Sequence, residues 1–368
     1  MSIDVDTLHG RRADDRWNRT AVGDILDRLA WSEPDEIAFI AAPDAVMDPA
    51  LARVTRAQAN TLANRVANAL LAAGLQRSAR VAMLCDNSVE ALLTKIGIAK
   101  AGLVAVPINT MMAPDVVEHM LGHVGAAAAI ADARLWATKG APFRTAGVPL
   151  LAAIATPDEA LPEGVSEWSA WAATGAEIEP EVRIHGDDIW EILLTSGTTS
   201  MPKAVMLSHT GTYMAAMSHA LSYSRGLARE GQLRICTFLP VIFHVGDHPF
   251  VFSALLAGGS VVLGRAPAPA SVASAITRER ATCLWGGAAA FIDAVAREAA
   301  GAPDTYDLKS LTTVVYGWTA MAPELHERLQ ALCDGVEVIG IFGQTESISC
   351  HCFWPARWPE LYARTAPA

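Results

Sequence analysis

The sequence predicts an α/β protein whose two lobes are built around mostly parallel β-sheets. Short apolar runs, each typical of a buried strand, alternate along the chain with segments whose apolar residues recur at helical spacing. This alternation indicates strand–helix–strand units, which form parallel sheets covered by helices on both faces. With 368 residues, of which 52% are hydrophobic, the chain can bury two such cores.

The first lobe is predicted over residues 21–155, after a charged and flexible N-terminus at residues 1–20. Its first long helix, over 54–74, carries leucine and valine at helical spacing and ends at a glycine. The elements that follow are a strand over 80–85, a helix over 89–101, a strand over 103–107, a helix over 114–124 that begins at a proline, and a strand over 127–131.

Residues 156–185 are predicted to be a surface connection, because they are rich in Pro, Glu and Gly and lack apolar periodicity. The second lobe is predicted over 186–350, and a truncated tail over 351–368. The strands expected in the second lobe span 189–195, 234–239, 260–264, 282–285, 311–317 and 336–342.

Composition argues against several classes of partner. The net charge of −11 disfavours nucleic acid and anionic membrane surfaces. The six cysteines are scattered, which is typical of reduced thiols, and the Cys-His-Cys run at 350–352 lacks a second ligand pair for zinc. Residues 1–20 do not resemble a signal peptide, and the uncharged stretches over 204–224 and 249–264 are broken by polar residues or are short. We expect a soluble, cytoplasmic protein without a membrane span.

The stretch from Thr195 to Val205 concentrates residues suited to anion binding. It follows a predicted strand and precedes a helix expected to begin near Ser208, and it lacks the Gly-Lys-Ser/Thr spacing of a Walker A loop. Small hydroxyl residues around a glycine let N–H and O–H groups converge on a phosphate, and a lysine adds a mobile positive charge. A polar surface loop is the alternative interpretation. The predicted phosphate-binding residues are Thr195, Ser196, Gly197, Thr198, Thr199, Ser200 and Lys203.

Three later segments also follow predicted strands. They are Pro-Val-Ile-Phe-His-Val-Gly over 240–246, Val-Val-Tyr-Gly-Trp-Thr-Ala-Met-Ala-Pro-Glu over 314–324, and Ile-Gly-Ile-Phe-Gly-Gln-Thr-Glu over 339–346. Taken singly, each has a structural interpretation. His244 could be a hydrogen-bonded core residue, Trp318 could pack between a helix and a sheet, and Glu346 could be a solvated turn residue.

In this order, the four segments resemble the signature segments of the adenylate-forming superfamily, which includes acyl-CoA synthetases, luciferases and peptide-synthetase adenylation domains. Lys95–Asn109 resembles an early segment of the same family, where its role is structural. Ser200 and Ala204 stand where the family usually has glycine, and Ser200 would be strained if its φ were positive. The matches run from about Asp24 to Glu346.

The resemblance implies roles for individual residues. Lys203 and Thr345 would act on the phosphates of ATP, Glu346 would hold Mg²⁺, and His244 would border the acyl and pantetheine tunnel, where it would position the substrate and gate access to the tunnel. The residues expected near the adenine and the α-phosphate are Gly317, Trp318, Thr319, Ala320, Gln344 and Thr345. Trp318 stands where a small residue is usual, so it would stack on adenine, narrow the acyl pocket or block the site.

The resemblance further implies ATP-dependent formation of an acyl-adenylate from a fatty or other apolar acid, with CoA as the thiol acceptor. The C-terminal small domain of the family is expected to be absent and the family's β-barrel to be partial. Without that domain we expect slow adenylation and negligible thioester formation. Expected partners are the carboxylate substrate and either a second copy of the chain or a separate C-terminal domain.

Other functions remain open. The chain could be a catalytically impaired nucleotide-binding remnant or one half of a split ligase. An amino-acid adenylation domain is disfavoured, because the expected acyl-pocket segments at 241–246, 285–287 and 317–321 contain no acidic residue, although Asp247 lies just outside them. A kinase-like phosphotransferase lacks the expected signatures.

Overall fold

The fold was examined in a computed structural model that describes residues 19–195, 202–224, 226 and 228–347, and the backbone of 351–353. All described strands belong to two mixed sheets that are mostly parallel. From edge to edge, the eight-stranded sheet contains β15 (His351–Phe353), β14 (Glu337–Phe342), β13 (Thr313–Gly317), β12 (Cys283–Ala288), β10 (Arg234–Thr237), β11 (Ser260–Leu263), β1 (Ile37–Ala41) and β2 (Arg53–Thr55). The seven-stranded sheet contains β7 (Ser166–Glu167), β6 (Leu150–Ile154), β5 (Ala126–Asp132), β3 (Arg80–Leu84), β4 (Val104–Pro107), β8 (Ile189–Thr195) and β9 (Lys203–Ser208).

Helices cover both faces of each sheet. They are α1 (Asp24–Ser32), α2 (Arg56–Ala72), α3 (Val89–Lys100), α4 (Pro114–Val124), α5 (Ala133–Lys139), α6 (Ala141–Thr145), α7 (Trp168–Ala172), α8 (His209–Tyr223), α9 (His244–Gly246), α10 (Ser253–Leu256), α11 (Pro269–Glu279), α12 (Ala289–Gly301) and α13 (Pro323–Leu332). A π-helical stretch, Asp247–Phe252, joins α9 to α10. None of the described helices is long and apolar enough to cross a membrane.

The strands sort their side chains by alternation into separate cores. In β10, Ile235 points into the core between the two sheets, whereas Cys236 joins the core beneath α11, α12 and α13. In β3, Val81 belongs to the central core and Ala82 to the core under α4, α5 and α6. The molecule is therefore layered, with one shared helical layer between two sheets, and α3 at its centre is buried along its whole length.

Local signals explain where the helices begin and end. Thr55 and Gln58 form a capping box at the start of α2, because each side chain accepts a hydrogen bond from the other residue's backbone N–H. α8 begins near Ser208, as predicted, and Ser208 caps it by accepting a hydrogen bond from the N–H of Gly211. α4 ends at Gly125, whose φ of 61° is the left-handed conformation that glycine adopts without strain.

Sheet membership crosses the predicted lobe boundary in both directions. The hairpin β8–β9 pairs with β4 of the seven-stranded sheet, and β1 pairs with β11 of the eight-stranded sheet. Residues 156–185, predicted to be a surface connection, contain β7 and α7 with a fully buried Trp168. Because the described strands are all accounted for by the two sheets, the expected partial β-barrel is not found in this part of the chain. The predicted boundaries between separately folding units stay a prediction.

A buried ion cluster connects the shared helical layer to the seven-stranded sheet. The ammonium group of Lys95 in α3 contacts the carboxylates of Glu191 in β8 and Asp247 in the π-helix, the latter at 2.5 Å. It also donates a hydrogen bond to the carbonyl of Ile242 at 2.8 Å. All three charged side chains are fully buried, and His248 Nε2 lies 2.9 Å from the second oxygen of Glu191. The sequence had suggested a purely structural role for the Lys95 segment and no role for His248.

Replacing Lys95 by methionine should destabilise the fold strongly. The substitution leaves two buried carboxylates without their cation, and removing one partner of a buried pair typically costs roughly 3–5 kcal/mol. Urea unfolding should show this loss, whereas Lys309→Met, at an exposed lysine, should change the free energy of unfolding by less than about 0.5 kcal/mol. Equal stability of the two variants would contradict a structural role for the cluster.

Candidate active site

A cavity of 340 Å³ lies at the carboxyl ends of three neighbouring parallel strands, β12, β13 and β14. The chain order of the strands reverses between β10 and β12, and ligands of open α/β sheets bind in the crevice at such a reversal. The helix that begins at His244 closes the other side. The residues that line the cavity are His244, Val245, His248, Pro249, Trp285, Gly317, Trp318, Ile341, Phe342, Gly343, Gln344 and Thr345.

The cavity unites residues from three of the four segments identified in the sequence. His244 comes from the segment after β10, Gly317 and Trp318 from the end of β13, and Gln344 and Thr345 from the turn after β14. More than seventy residues separate His244 from Gly317 along the chain. They meet because parallel neighbouring strands deliver their carboxyl ends to the same edge of the sheet.

Glu346 lies beside this group and is exposed. Its carboxylate is close enough to His244 to act electrostatically on the imidazole. Burial nevertheless dominates and lowers the pKa of His244 to about 4, while Glu191 and Glu346 oppose the shift. The imidazole of His244 is therefore neutral at pH 7, which fits a hydrogen-bonding and positioning role better than that of a cation.

The two predicted phosphate-binding residues that the structure describes, Thr195 and Lys203, lie on the other sheet. Thr195 ends β8 and Lys203 begins β9, and the two are paired across the antiparallel hairpin. The sequence predicted a loop up to Val205 and a helix near Ser208; the helix begins at His209 as expected, but Lys203–Ser208 form the strand β9. Ser196, Gly197, Thr198, Thr199 and Ser200 lie outside the described residues. The exposed side chain of Lys203 thus stands at the loop end of the hairpin and does not line the cavity described above.

Two other predicted residues have different surroundings. Thr319 Oγ1 accepts a hydrogen bond from the N–H of Ala289 at 3.2 Å, so it satisfies a backbone donor at the first turn of α12. Thr319 and Ala320 are both exposed and do not line the cavity. A contact of Thr319 or Ala320 with adenine would therefore have to be made by backbone atoms next to Gly317.

Sequence reasoning missed His248 and Phe342 as cavity residues. His248 is almost fully buried, and burial lowers its pKa to about 4. Its Nε2 atom lies within hydrogen-bonding distance of both Glu191 and Thr212. Spacing from His244 was the available signal, because residues four apart share a helix face. Asp247 is buried against Lys95, so it is not available to bind an ammonium group of a substrate.

Among the described residues, two carboxylate clusters have the spacing of metal ligands, and in both a side-chain cation is already present. In the cluster of Glu191, Asp247 and His248, the Lys95 ammonium contacts both acids. The second cluster is formed by Asp24, Asp27 and Glu179, whose carboxylates form ion pairs with Arg19 and Lys100. The described cysteines Cys85, Cys236, Cys283 and Cys333 are buried free thiols.

The chain is an α/β protein with a cavity at the carboxyl ends of its parallel strands, and comparison with known proteins identifies the family. The sequence profile of the AMP-binding enzyme family matches residues 26–367. The chain belongs to this family.

Curated relatives are acid–CoA ligases. The long-chain-fatty-acid–CoA ligase FadD13 of Mycobacterium tuberculosis is 34% identical over 249 residues, which cover 66% of this chain and 45% of that protein. The 4-coumarate–CoA ligase 1 of Narcissus pseudonarcissus is 26% identical over 299 residues, covering 80% of this chain and 52% of that protein. The chain thus spans about half the length of these relatives.

Solved structures support the same fold. The inhibitor-bound N-terminal domain of FACL13 from Mycobacterium tuberculosis has a TM-score of 0.72 and 27% identity, covering 89% of this chain and 77% of that one. A long-chain-fatty-acid–CoA ligase from Archaeoglobus fulgidus has a TM-score of 0.80 at 19% identity, covering 94% and 69% respectively, and it shows the fold alone.

The protonation of His244 can be measured directly. NMR titration of its ring should give a midpoint near pH 4 rather than 6.5, because burial disfavours the imidazolium. The unfolded chain then binds more protons than the native protein between these values, so the stability contributed by His244 is lost as the pH falls from 6.5 towards 4. His244→Gln assigns the signal and should flatten this part of the stability profile. A midpoint at 6.5 or above would be incompatible with the buried environment.

Proposed function

We propose that the chain catalyses ATP-dependent activation of an apolar carboxylic acid, as the N-terminal part of an acyl-CoA ligase. The observation that carries this proposal is the cavity, which gathers His244, Gly317, Gln344 and Thr345 from segments that resemble family signatures. In the proposed reaction a carboxylate oxygen attacks the α-phosphorus of ATP, and pyrophosphate leaves as the acyl-adenylate forms. A thiol, for which we propose CoA, then displaces AMP.

The apolar walls support an apolar acid. Val245, Pro249, Trp285 and Ile341 line the cavity and offer no charge to a substrate tail. The names of the relatives, which include a long-chain-fatty-acid–CoA ligase and a 4-coumarate–CoA ligase, agree with an apolar acid but differ in its shape. His244 is neutral and is the first residue of its helix. It can donate a hydrogen bond to the substrate carboxylate without neutralising its charge, which leaves the carboxylate nucleophilic.

The phosphate contacts are proposed for the β8–β9 hairpin. Lys203 is exposed where β9 begins and is paired with Thr195 across the hairpin. A mobile ammonium group there can offset charge on the pyrophosphate leaving group. The strand that carries Thr195 also carries Glu191, which the Lys95 cluster connects to Asp247. The ion cluster thereby fixes the position of the hairpin relative to the helix that lines the cavity.

Glu346 suits a hard divalent cation. It is an exposed carboxylate next to the cavity, and Mg²⁺ in nucleotide sites is typically held by one or two carboxylates together with phosphate oxygens. When bound, Mg²⁺ would neutralise phosphate charge. Thr345, beside it, lines the cavity and can donate a hydroxyl hydrogen bond to an α-phosphate oxygen.

ATP–pyrophosphate exchange tests the adenylation step. With a panel of apolar acids, exchange should require one class of acid and should fall about 10²–10³-fold in Lys203→Ala, because a charge-stabilising contact to the phosphates is lost. Lys309→Ala removes an exposed lysine far along the chain and should retain the exchange rate. Exchange that is independent of added acid, or equal in both variants, would refute the proposed role, and a folded protein without any exchange would refute the proposed function.

Magnesium titration of the same exchange tests Glu346. Glu346→Gln removes the negative charge but keeps the shape, so the concentration of Mg²⁺ at half-maximal exchange should rise about tenfold or more, with weaker binding of Mg·ATP in calorimetry. Glu298→Gln, at an exposed site on α12, is the matched control. An unchanged requirement for Mg²⁺ in Glu346→Gln would exclude this residue as the ligand.

A further inference from the structure

Trp318 has an unfavourable backbone conformation at the wall of the cavity. Its φ is 64°, in the left-handed region, where a bulky residue is an outlier because its Cβ crowds the backbone. The other described non-glycine residues with positive φ are Arg19, Ser78 and Arg280, and none of them lines this cavity. Strained conformations of this kind persist where the surroundings require them, and they cluster at functional sites.

The surroundings fix the direction of the indole. The six-membered ring of Trp318 lies against Gly287, where a Cβ atom would come within 2.6 Å of its Cζ3 atom. Gly287 itself has a φ of 68° and sits at a register shift between β12 and β13. Trp318 therefore depends on a glycine opposite it, and the bulge in β12 makes room for the ring.

A row of aromatic rings continues from Trp318 into the core behind the cavity. Trp318 meets Trp285 edge to face, with centroids 5.5 Å apart, and Trp285 stacks on Phe250 at 4.3 Å. Trp285 and Phe250 are buried, whereas Trp318 is 62% exposed and stands at the open end of the row. One part of its ring thus packs against Gly287 of β12 and against Trp285, and the rest is exposed.

We infer that Trp318 sets the length of the acyl group, so that the site accepts compact carboxylic acids, short-chain or single-ring, and excludes long aliphatic chains. The inference rests on the proposed function. The cavity is at the small end of the range of about 300–1,000 Å³ for ligand pockets, and the indole occupies the space over Gly287 into which a longer chain would extend. Replacing the indole opens that space without moving Gly317 or Thr345.

The test measures binding of non-hydrolysable acyl-adenylate analogues by calorimetry, with acetyl, butyryl, benzoyl, octanoyl and palmitoyl groups. The natural protein should bind the compact analogues and lose affinity at octanoyl and beyond. Trp318→Gly should gain about tenfold in affinity for roughly every two further methylene groups that it can bury. Trp318→Asn, which tolerates the left-handed conformation, provides a second variant should the glycine loosen the loop.

Ser78→Gly is the matched control. Ser78 is exposed, has a φ of 62° and lies away from the cavity, so its replacement relieves the same kind of strain without changing the walls. Ser78→Gly should retain the acyl chain-length preference of the natural protein. Identical chain-length profiles in the natural protein and both Trp318 variants, or tight palmitoyl binding by the natural protein, would overturn the inference while leaving adenylation intact. If no analogue binds the natural protein, the proposed function itself fails, and the inference fails with it.

Discussion

The buried ammonium group of Lys95 is the constraint on which the arrangement of the layers depends. A charged group without solvent is tolerated only if it is paired and hydrogen-bonded, and Lys95 meets this requirement through Glu191, Asp247 and the carbonyl of Ile242. Burial raises the pKa of Glu191 and raises that of Asp247 to about 6, and in both cases Lys95 opposes the shift. Since these partners come from different elements, the cluster fixes β8 relative to the helix that lines the cavity.

This constraint explains how both sheets could contribute to the proposed reaction. The cavity is built on the eight-stranded sheet, at the carboxyl ends of β12, β13 and β14. The hairpin proposed to hold phosphates belongs to the seven-stranded sheet. The two are connected through the central helical layer, where His248 contacts Glu191 and also lines the cavity. Geometry at the site therefore depends on side chains that no substrate would touch.

Sequence patterns predicted most elements, because strand and helix periodicities are local properties. The helix over 114–124 was correct at both ends, since a proline begins it and Gly125 ends it. β9 was missed because its alternation is obscured by the exposed Lys203 and Met206. Sheet membership could not be predicted, because the local sequence of β1 carries no information about its pairing with β11. Among the site residues, the strand-end motifs were informative, whereas the four-residue spacing of His248 from His244 did not reveal its contacts with Glu191 and Thr212.

The pairing of β1 with β11 has a consequence for synthesis of the chain on the ribosome. Phe39 lies opposite Val261, so this neighbour emerges more than two hundred residues later. At roughly 5–20 residues per second, the nascent apolar strand waits on the order of ten to forty seconds for its parallel partner. β2, which begins about a dozen residues after β1 ends, pairs with the other edge of β1. This early hairpin pairs one edge of β1. The other edge stays unpaired until β11 has been synthesised.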